Sequence, residues 1–296
     1  MTTAVGGGFA AGITVAQVLR NAPFDALDNR LLVGHCLRLS REQLITRSEQ
    51  CLSAEEAERL AHAFARRQAG EPVAYILGSR EFFGLSLRVT PAVLIPRADT
   101  ELLVELALER AAPGARVADF GTGSGAIAIA LARFRSDLHV TAVDVSADAL
   151  EVARENAALH RVKLTFILSD WYAALEAEAQ VGDVANAQAR LFDMIVANPP
   201  YIVAGDVHLA QGDLPFEPLD ALTDHADGLS ALRILIAGAP RHLAAGSWLL
   251  LEHGYDQAAA VRALLAEADF HTVDSWRDLS GIERVSGGRT HSFEQD

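Results

Sequence analysis

Asn198-Pro199-Pro200-Tyr201, at the end of the apolar run Met194-Ile195-Val196-Ala197, is the most chemically loaded stretch of the chain. The Asn198 side-chain oxygen and the Pro199 carbonyl are both acceptors. Together they match the two hydrogens of one planar NH2 group, and the Tyr201 ring can pack on the same flat group. Such a turn suits an amide or an exocyclic amine, whose lone pair is delocalised. Pulling on both hydrogens returns electron density to the nitrogen and aims its lone pair. Asn-Pro alone marks only a turn; the full Asn-Pro-Pro-Tyr behind a buried strand is far more specific. Asn198, Pro199 and Tyr201 are therefore the candidate catalytic residues, with Pro200 beside them in the substrate grip.

A second set describes another ligand. Asp119 precedes Gly121-Thr122-Gly123-Ser124-Gly125, a loop whose glycines let the backbone turn sharply and come close to a ligand. Its spacing is not the dinucleotide fingerprint, and no lysine follows it, which excludes a P-loop. Asp119 is placed to pair with an ammonium. Asp144 ends the next expected strand, where a carboxylate can take both hydroxyls of a ribose. Asp170 and Trp171 end the third, where a carboxylate and a ring could flank an adenine. An amine, a ribose and a base without phosphate describe S-adenosylmethionine. The cofactor candidates are thus Asp119, Gly121, Thr122, Gly123, Ser124, Gly125, Asp144, Asp170, Trp171 and Asn198. Arg97, after the stiff Pro91-to-Pro96 loop, reads as a clamp near the site. The histidines show no His-Glu-x-x-His or Cys/His ligand spacing, so no metal is expected.

These residues need a scaffold. Strands are expected at Arg116–Phe120, His139–Val143, Lys163–Leu168, Met194–Ala197, Trp248–Glu252 and Thr272–Trp276, with an edge completed by Arg284-Val285 and His291–Phe293. Helices are expected at Ala126–Arg133, Ala147–His160, Gly228–Leu243 and Tyr255–Ala268. Pro199 and Pro200 cannot join a β-ladder, so the fourth strand must stop there. Strands alternating with helices give an α/β, Rossmann-like domain with a mostly parallel sheet. Ile202–Thr223 is a long connection of the kind that forms a lid, and 175–190 reads as an exposed insertion.

The start of the chain has a different texture. Helical patterns cover Ile13–Asn21, Ala26–Leu39 (Leu27, Leu31, Leu32 and Leu37 on one face) and Arg41–Glu49. Ser53-Ala54-Glu55-Glu56 is a capping box opening a helix to about Gln68. Tyr75–Phe83 and Leu85–Val89 alternate around Gly84 and suggest a hairpin. The expected division is 1–73 helical bundle, 74–92 hairpin linker and 93–296 α/β domain. Met1–Gly12 reads as a loose tail rather than a signal peptide.

Composition narrows the classes. The 296 residues are half apolar, with only Cys36 and Cys51, which fits a reducing cytoplasm and not a disulfide framework. No apolar stretch is long enough to span a membrane. Residues 1–80 hold nine arginines against eight carboxylates; the remainder holds 16 Lys+Arg against 31 Asp+Glu. An acidic catalytic half is a poor match for duplex DNA, so direct nucleic-acid binding is not expected.

The sequence resembles the release factor glutamine methyltransferases. The matching pieces are Leu94-Ile95-Pro96-Arg97 with Asp99-Thr100-Glu101, the run from Asp119 to Gly125, Ser169-Asp170-Trp171, Asn198 to Tyr201, Phe216-Glu217-Pro218-Leu219, Leu251-Glu252-His253-Gly254 and Glu283-Arg284-Val285. Ala98 stands where that family usually carries proline. The resemblance implies that the α/β domain at 93–296 is a class I methyltransferase domain, and that it transfers a methyl group from S-adenosylmethionine to the side-chain nitrogen of the glutamine in the Gly-Gly-Gln motif of peptide chain release factors 1 and 2. It also implies that the helical start grips the protein substrate. A ribosomal-protein glutamine methyltransferase and an adenine-N6 methyltransferase share the same turn chemistry and stand as alternatives.

Overall fold

In the computed structural model, residues 9–181 and 191–292 are described. The chain forms two compact units, divided between Ser79 and Arg80. The tail expected at 1–12 and the insertion expected at 175–190 fall partly outside the described residues, as does Phe293.

The first unit is helical: α1 (Val15–Asn21), α2 (Ala26–Leu37), α3 (Arg41–Thr46), α4 (Ala54–Gln68) and α5 (Val73–Leu77). Three of these start on a complete capping box, Thr14 with Gln17, Ser40 with Gln43, and Ser53 with Glu56. Each box satisfies two backbone N–H groups that the first helical turn leaves without partners. The core is Val15, Val18, Leu32, Val33, Leu37, Leu60 and Phe64. The buried face of α2 differs from the expected one. Leu27 and Leu31 are exposed, and the inward residues are Asn29, Leu32, Val33, Cys36 and Leu37. Asn29 turns inward because its side chain closes the preceding turn, donating to the Phe24 carbonyl at 2.7 Å. Tyr75–Leu77, expected in the hairpin, are helical, since Pro72 starts a turn that Gly78 ends at φ 70°.

The second unit opens with a hairpin of β1 (Ser79–Phe82) and β2 (Leu85–Arg88). Phe83 and Gly84, both at positive φ, make its two-residue turn, as tight hairpins require. Then follow α6 (Glu101–Arg110), β3 (Arg116–Phe120), α7 (Ala126–Phe134), β4 (His139–Asp144), α8 (Ala147–His160), β5 (Thr165–Leu168), α9 (Ala173–Val181) and β6 (Phe192–Ala197). The chain ends with α10 (Leu219–Leu222), α11 (Ser230–Gly238), β7 (Leu243–Glu252), α12 (Ala258–Glu267), β8 (His271–Arg277) and β9 (Glu283–Arg289). The sheet order is β5-β4-β3-β6-β7-β9-β8. From β5 to β7 all pairs are parallel; β9 runs antiparallel to both of its neighbours. His291 and Ser292 lie outside the strands; Arg284 and Val285 do join the sheet, in β9, but β9 lies between β7 and β8, and the edge strand is β8.

Period-two alternation splits the buried side chains between two faces. Val117, Met194, Val196 and Leu250 pack with Leu103, Val104 and Ile127 on one side. Ala118, Ile195, Ala197, Leu249 and Leu251 pack with Leu232, Leu235, Val261 and Leu265 on the other. Leu175, expected to be exposed, packs half-buried against this second layer. The long connection after β6 is not open coil. It holds short 3-10 turns at Val207–Ala210 and Leu214–Phe216 before α10. No helix among the described residues is long and apolar enough to cross a membrane.

Candidate functional site

Strand register brings the candidate residues to one edge. Phe120 lies beside Val143 on one side and Ala197 on the other, and Asp144 lies beside Leu168. The residues that follow therefore leave the sheet in rank: the glycine loop, then Ser169-Asp170-Trp171, and Asn198. Chain order reverses across β3 and β6, the switch point at which open α/β sheets bind ligands. A cleft of about 250 Å³ opens there, far larger than the roughly 30 Å³ of one water. Gly121, Gly123, Asp144, Asp170, Trp171, Asn198 and Pro200 line it. Asp119, Thr122, Ser124, Gly125, Pro199, Tyr201 and Arg97 do not; they hold the lining residues or the neighbouring loops.

The glycine loop is fastened by three side-chain hydrogen bonds. Thr122 Oγ1 donates to Asp119 Oδ2 at 2.7 Å, and Gly123 N donates to Asp144 Oδ2 at 2.8 Å. Asn156 Nδ2 donates to the Ser124 carbonyl at 2.9 Å. Gly125 has φ +82°, and a Cβ on it would lie 2.8 Å from Ile129 Cδ1 and 3.2 Å from Ala153 Cβ. Ile129 can rotate its end away, but Ala153 cannot. Gly125→Ala is therefore expected to lower stability by about 1–3 kcal/mol, read as a shift in the urea midpoint. An unchanged midpoint would show that the α7–α8 approach is looser than this geometry.

Asp119 is fully buried. Its Oδ2 accepts from Thr122 and from Ala128 N, whereas Oδ1 has no partner. Burial pushes its carboxyl up to about 7; the two hydrogen bonds oppose the rise and the Asp144 charge adds to it. The unfolded chain titrates near the ordinary value, so between about pH 4 and 7 the folded protein holds a proton that the unfolded chain lacks. The stability from this group is complete at low pH and is lost as pH rises toward 7. Asp119→Asn is expected to remove this loss, worth up to about 4 kcal/mol. Melting temperatures at pH 5 and pH 8 test it: the wild type should drop more than the variant, and parallel drops would refute the assignment. Asp144, also raised by burial, spends Oδ1 on Ser146 N and Oδ2 on Gly123 N. Asp144 lines the cleft, and a carboxylate oxygen can accept more than one hydrogen bond. Trp171 sits at φ 46°, uncommon for a bulky residue. Ser169 holds it there, its hydroxyl donating to the Trp171 carbonyl at 2.7 Å.

The Asn198 turn has its own supports. Asn198 Nδ2 donates to Thr100 Oγ1 at 3.1 Å. Thr100 precedes α6 but its side chain does not cap the helix. Gln257 Nε2 donates to the Tyr201 carbonyl at 3.0 Å and to Gly228 O at 3.1 Å. Tyr201 Oη lies 3.5 Å from Glu252 Oε1, and burial pushes the Tyr201 phenol up, with Glu252 adding to it. Among the described residues no backbone N–H donates to the Pro199 carbonyl. Arg97 does not reach into the cleft; its guanidinium pairs with Glu217, whose other oxygen accepts from Ile95 N at 2.9 Å. Thr100, Glu217 and Glu252 appear in the sequence reading only within the family-matching pieces and Gln257 not at all; none of the four is named there as a site residue. The mark that could have found Glu217 and Glu252 is an acidic residue inside an otherwise apolar stretch.

Two family descriptions match the chain: PrmC N-terminal domain over residues 13–78 and Methyltransferase small domain over residues 97–213. The chain is 51% identical over 286 residues to the release factor glutamine methyltransferase of Burkholderia pseudomallei, covering 93% of this chain and 96% of that one. It is 48% identical to that of Neisseria gonorrhoeae, covering 89% and 93%. A T. thermophilus 16S rRNA methyltransferase, solved with AdoMet and guanosine, shares the fold at TM-score 0.52 and 21% identity, over 72% of this chain and 50% of that one.

Proposed function

The chain belongs to the release factor glutamine methyltransferase family, and we propose that it methylates the glutamine side-chain nitrogen in the Gly-Gly-Gln motif of class 1 peptide release factors, with S-adenosylmethionine as donor. The observation that carries this reading is Asn198, which lines the cleft next to the glycine loop while its Nδ2 is held by Thr100.

The chain's residues fit the donor. Asp119 Oδ1 is a buried acceptor without a partner, which an ammonium would satisfy. Gly121 and Gly123 offer a wall with no side chain, Asp144 offers acceptors to a diol, and Trp171 with Asp170 offers a ring and a carboxylate to a base. S-adenosylmethionine supplies an electrophilic methyl group on a sulfonium. What the chain adds is position. Asn198 Oδ1 and the Pro199 carbonyl each accept one hydrogen of the glutamine NH2, turning its lone pair out of conjugation. Tyr201 and Pro200 exclude water from the other side. The alkylated nitrogen loses its extra proton to solvent without a dedicated base. The helical unit, matched as the PrmC N-terminal domain, is the part that recognises the release factor.

The test uses purified protein, methyl-labelled S-adenosylmethionine and unmethylated release factor, with a second factor whose Gly-Gly-Gln glutamine is replaced. Label on the first and none on the second is expected. Label on ribosomal proteins or DNA instead would move the activity to another acceptor.

A further inference from the structure

One buried side chain ties together the two limbs of the connection that follows β6. The first limb, Tyr201 to Ala204, leaves the Asn198 turn; the second, Leu222 to Gly228, leads into α11. The limbs run side by side, with Ile202 N donating to the Leu222 carbonyl and Ala204 N to the Ala226 carbonyl, each at 3.0 Å. Asn198 and Pro200 line the cleft just ahead of the first limb, and Pro218, Asp220 and Ala221 line it just ahead of the second. Gln257, buried at the start of α12, bridges the limbs. Its Nε2 donates to the Tyr201 carbonyl at 3.0 Å and to the Gly228 carbonyl at 3.1 Å, 56 and 29 positions away in sequence.

The chemistry of its partners fixes this amide completely. A glutamine side chain offers an accepting oxygen and an NH2 with two hydrogens. Gly254 N, which can only donate, gives its hydrogen to Gln257 Oε1 at 2.8 Å. The two carbonyls can only accept, so they take the NH2 end. The two ends of an amide are told apart by such partners alone, and here all three partners agree. Among the described residues no backbone N–H donates to the Tyr201 carbonyl, so Gln257 is its hydrogen-bond tether. We infer that Gln257 is a positioning residue that clamps the two limbs together, and so sets the gap between the Asn198-Pro199-Pro200-Tyr201 turn and the Pro218-to-Ala221 segment. The inference rests on the proposed reaction for the acceptor that enters this gap.

Gly228 shows how closely the junction is built. It sits at φ +78°, and a Cβ on it would lie 2.5 Å from the Tyr201 carbonyl oxygen and 2.8 Å from Gln257 Nε2. Any side chain at 228 would therefore wedge into the junction that Gln257 closes. The second limb is also held from within, since the Asp224 carboxylate accepts from Ala226 N, Gly228 N and Ser230 N at 2.9, 3.0 and 2.7 Å. It is thus a braced wall, and the first limb is fastened to it. A shift of about 1 Å in a positioning group can cost about 10²-fold in rate, so the fastening bears directly on turnover.

Three variants of the full chain test this. Gln257→Met keeps length and bulk but has no donor; Gln257→Ala removes the bulk as well; Gly228→Ala wedges the same junction from the other side. With release factor as acceptor, each should lower kcat per donor-binding site by about 10–100-fold and raise the acceptor KM by about 3–10-fold. Calorimetric titration of S-adenosylmethionine counts the folded sites. Donor affinity should stay within about twofold, because the glycine loop has its own hydrogen bonds. A packing role alone would leave Gln257→Met near wild type and harm only Gln257→Ala. A second readout needs no acceptor: the backbone amides of Ile202 and Ala204 should exchange their hydrogens at least about tenfold faster in Gln257→Met, with β6 and β7 amides unchanged. Wild-type kcat and acceptor KM in Gln257→Met, or unchanged exchange at Ile202 and Ala204, would overturn the inference. If the wild type fails to label the release factor, the substrate assignment falls, and the exchange arm still decides whether Gln257 clamps the limbs.

Discussion

Asn198→Ala is expected to cut kcat by about 10²–10³, the usual loss of one preorganised polar contact in a reacting site. The reasoning is geometric. On the proposed reading, alanine removes the oxygen that would take one hydrogen of the acceptor NH2 but leaves the Pro199 carbonyl, the glycine loop and Asp144 in place. Donor affinity should therefore change little, because the glycine loop is fastened independently by Thr122, Gly123 and Ser124. The backbone should also hold, since Gln257 grips the Tyr201 carbonyl from a different element. Steady-state kinetics paired with calorimetric titration of S-adenosylmethionine separate the two effects. Near-normal turnover with donor bound would end the amide-grip reading; lost donor binding would place Asn198 among the cofactor contacts alone.

Glu217→Ala should produce the largest loss of stability, about 2–4 kcal/mol. Glu217 is buried and joins two loops that both line the cleft, the one carrying Val93 and Leu94 and the one carrying Pro218 and Asp220. Truncation leaves the Ile95 N–H without its acceptor, costing about 1–3 kcal/mol, and strips Arg97 of its partner. Because Arg97 is one-third exposed, water recovers part of the second loss. Glu217→Gln keeps an acceptor for Ile95 and should cost less than half as much. Urea unfolding at constant slope would read both. Equal midpoints for wild type and Glu217→Ala would mean that the two loops hold without this contact.

Much of this architecture was legible in the chain because each signal was local. Continuous apolar runs bounded by glycine, proline or aspartate marked the parallel strands, and Pro199 and Pro200 had to end β6 where they do. The capping box at Ser53 and Glu56 is present with both bonds made. What escaped was long-range. Thr100 stands where a helix cap would, just ahead of α6, but its hydroxyl accepts from Asn198, 98 positions away in sequence. Arg97 looks like a free clamp, yet its charge is spent on Glu217, 120 positions away. Tyr75–Leu77 alternate well enough for a strand, and only the αL turn at Gly78 closes them into a helix. Local spacing carries no information about such pairings.

The register of β3 against β6 has a kinetic meaning. Phe120 pairs with Ala197, so the glycine loop and the Asn198 turn are launched from neighbouring strands, about 4.8 Å apart by the spacing of any sheet. The gap between the two halves of the cleft is thus a constant of the backbone lattice rather than a property of a loop. Insertions after Tyr201 can change which acceptor is admitted, but they cannot stretch the distance a transferred group must cross. Changing that distance would need a slip of β6 by one residue, which would turn Met194 and Val196 onto the opposite layer. The reach of the reaction is therefore guarded by the same hydrophobic alternation that holds the sheet together.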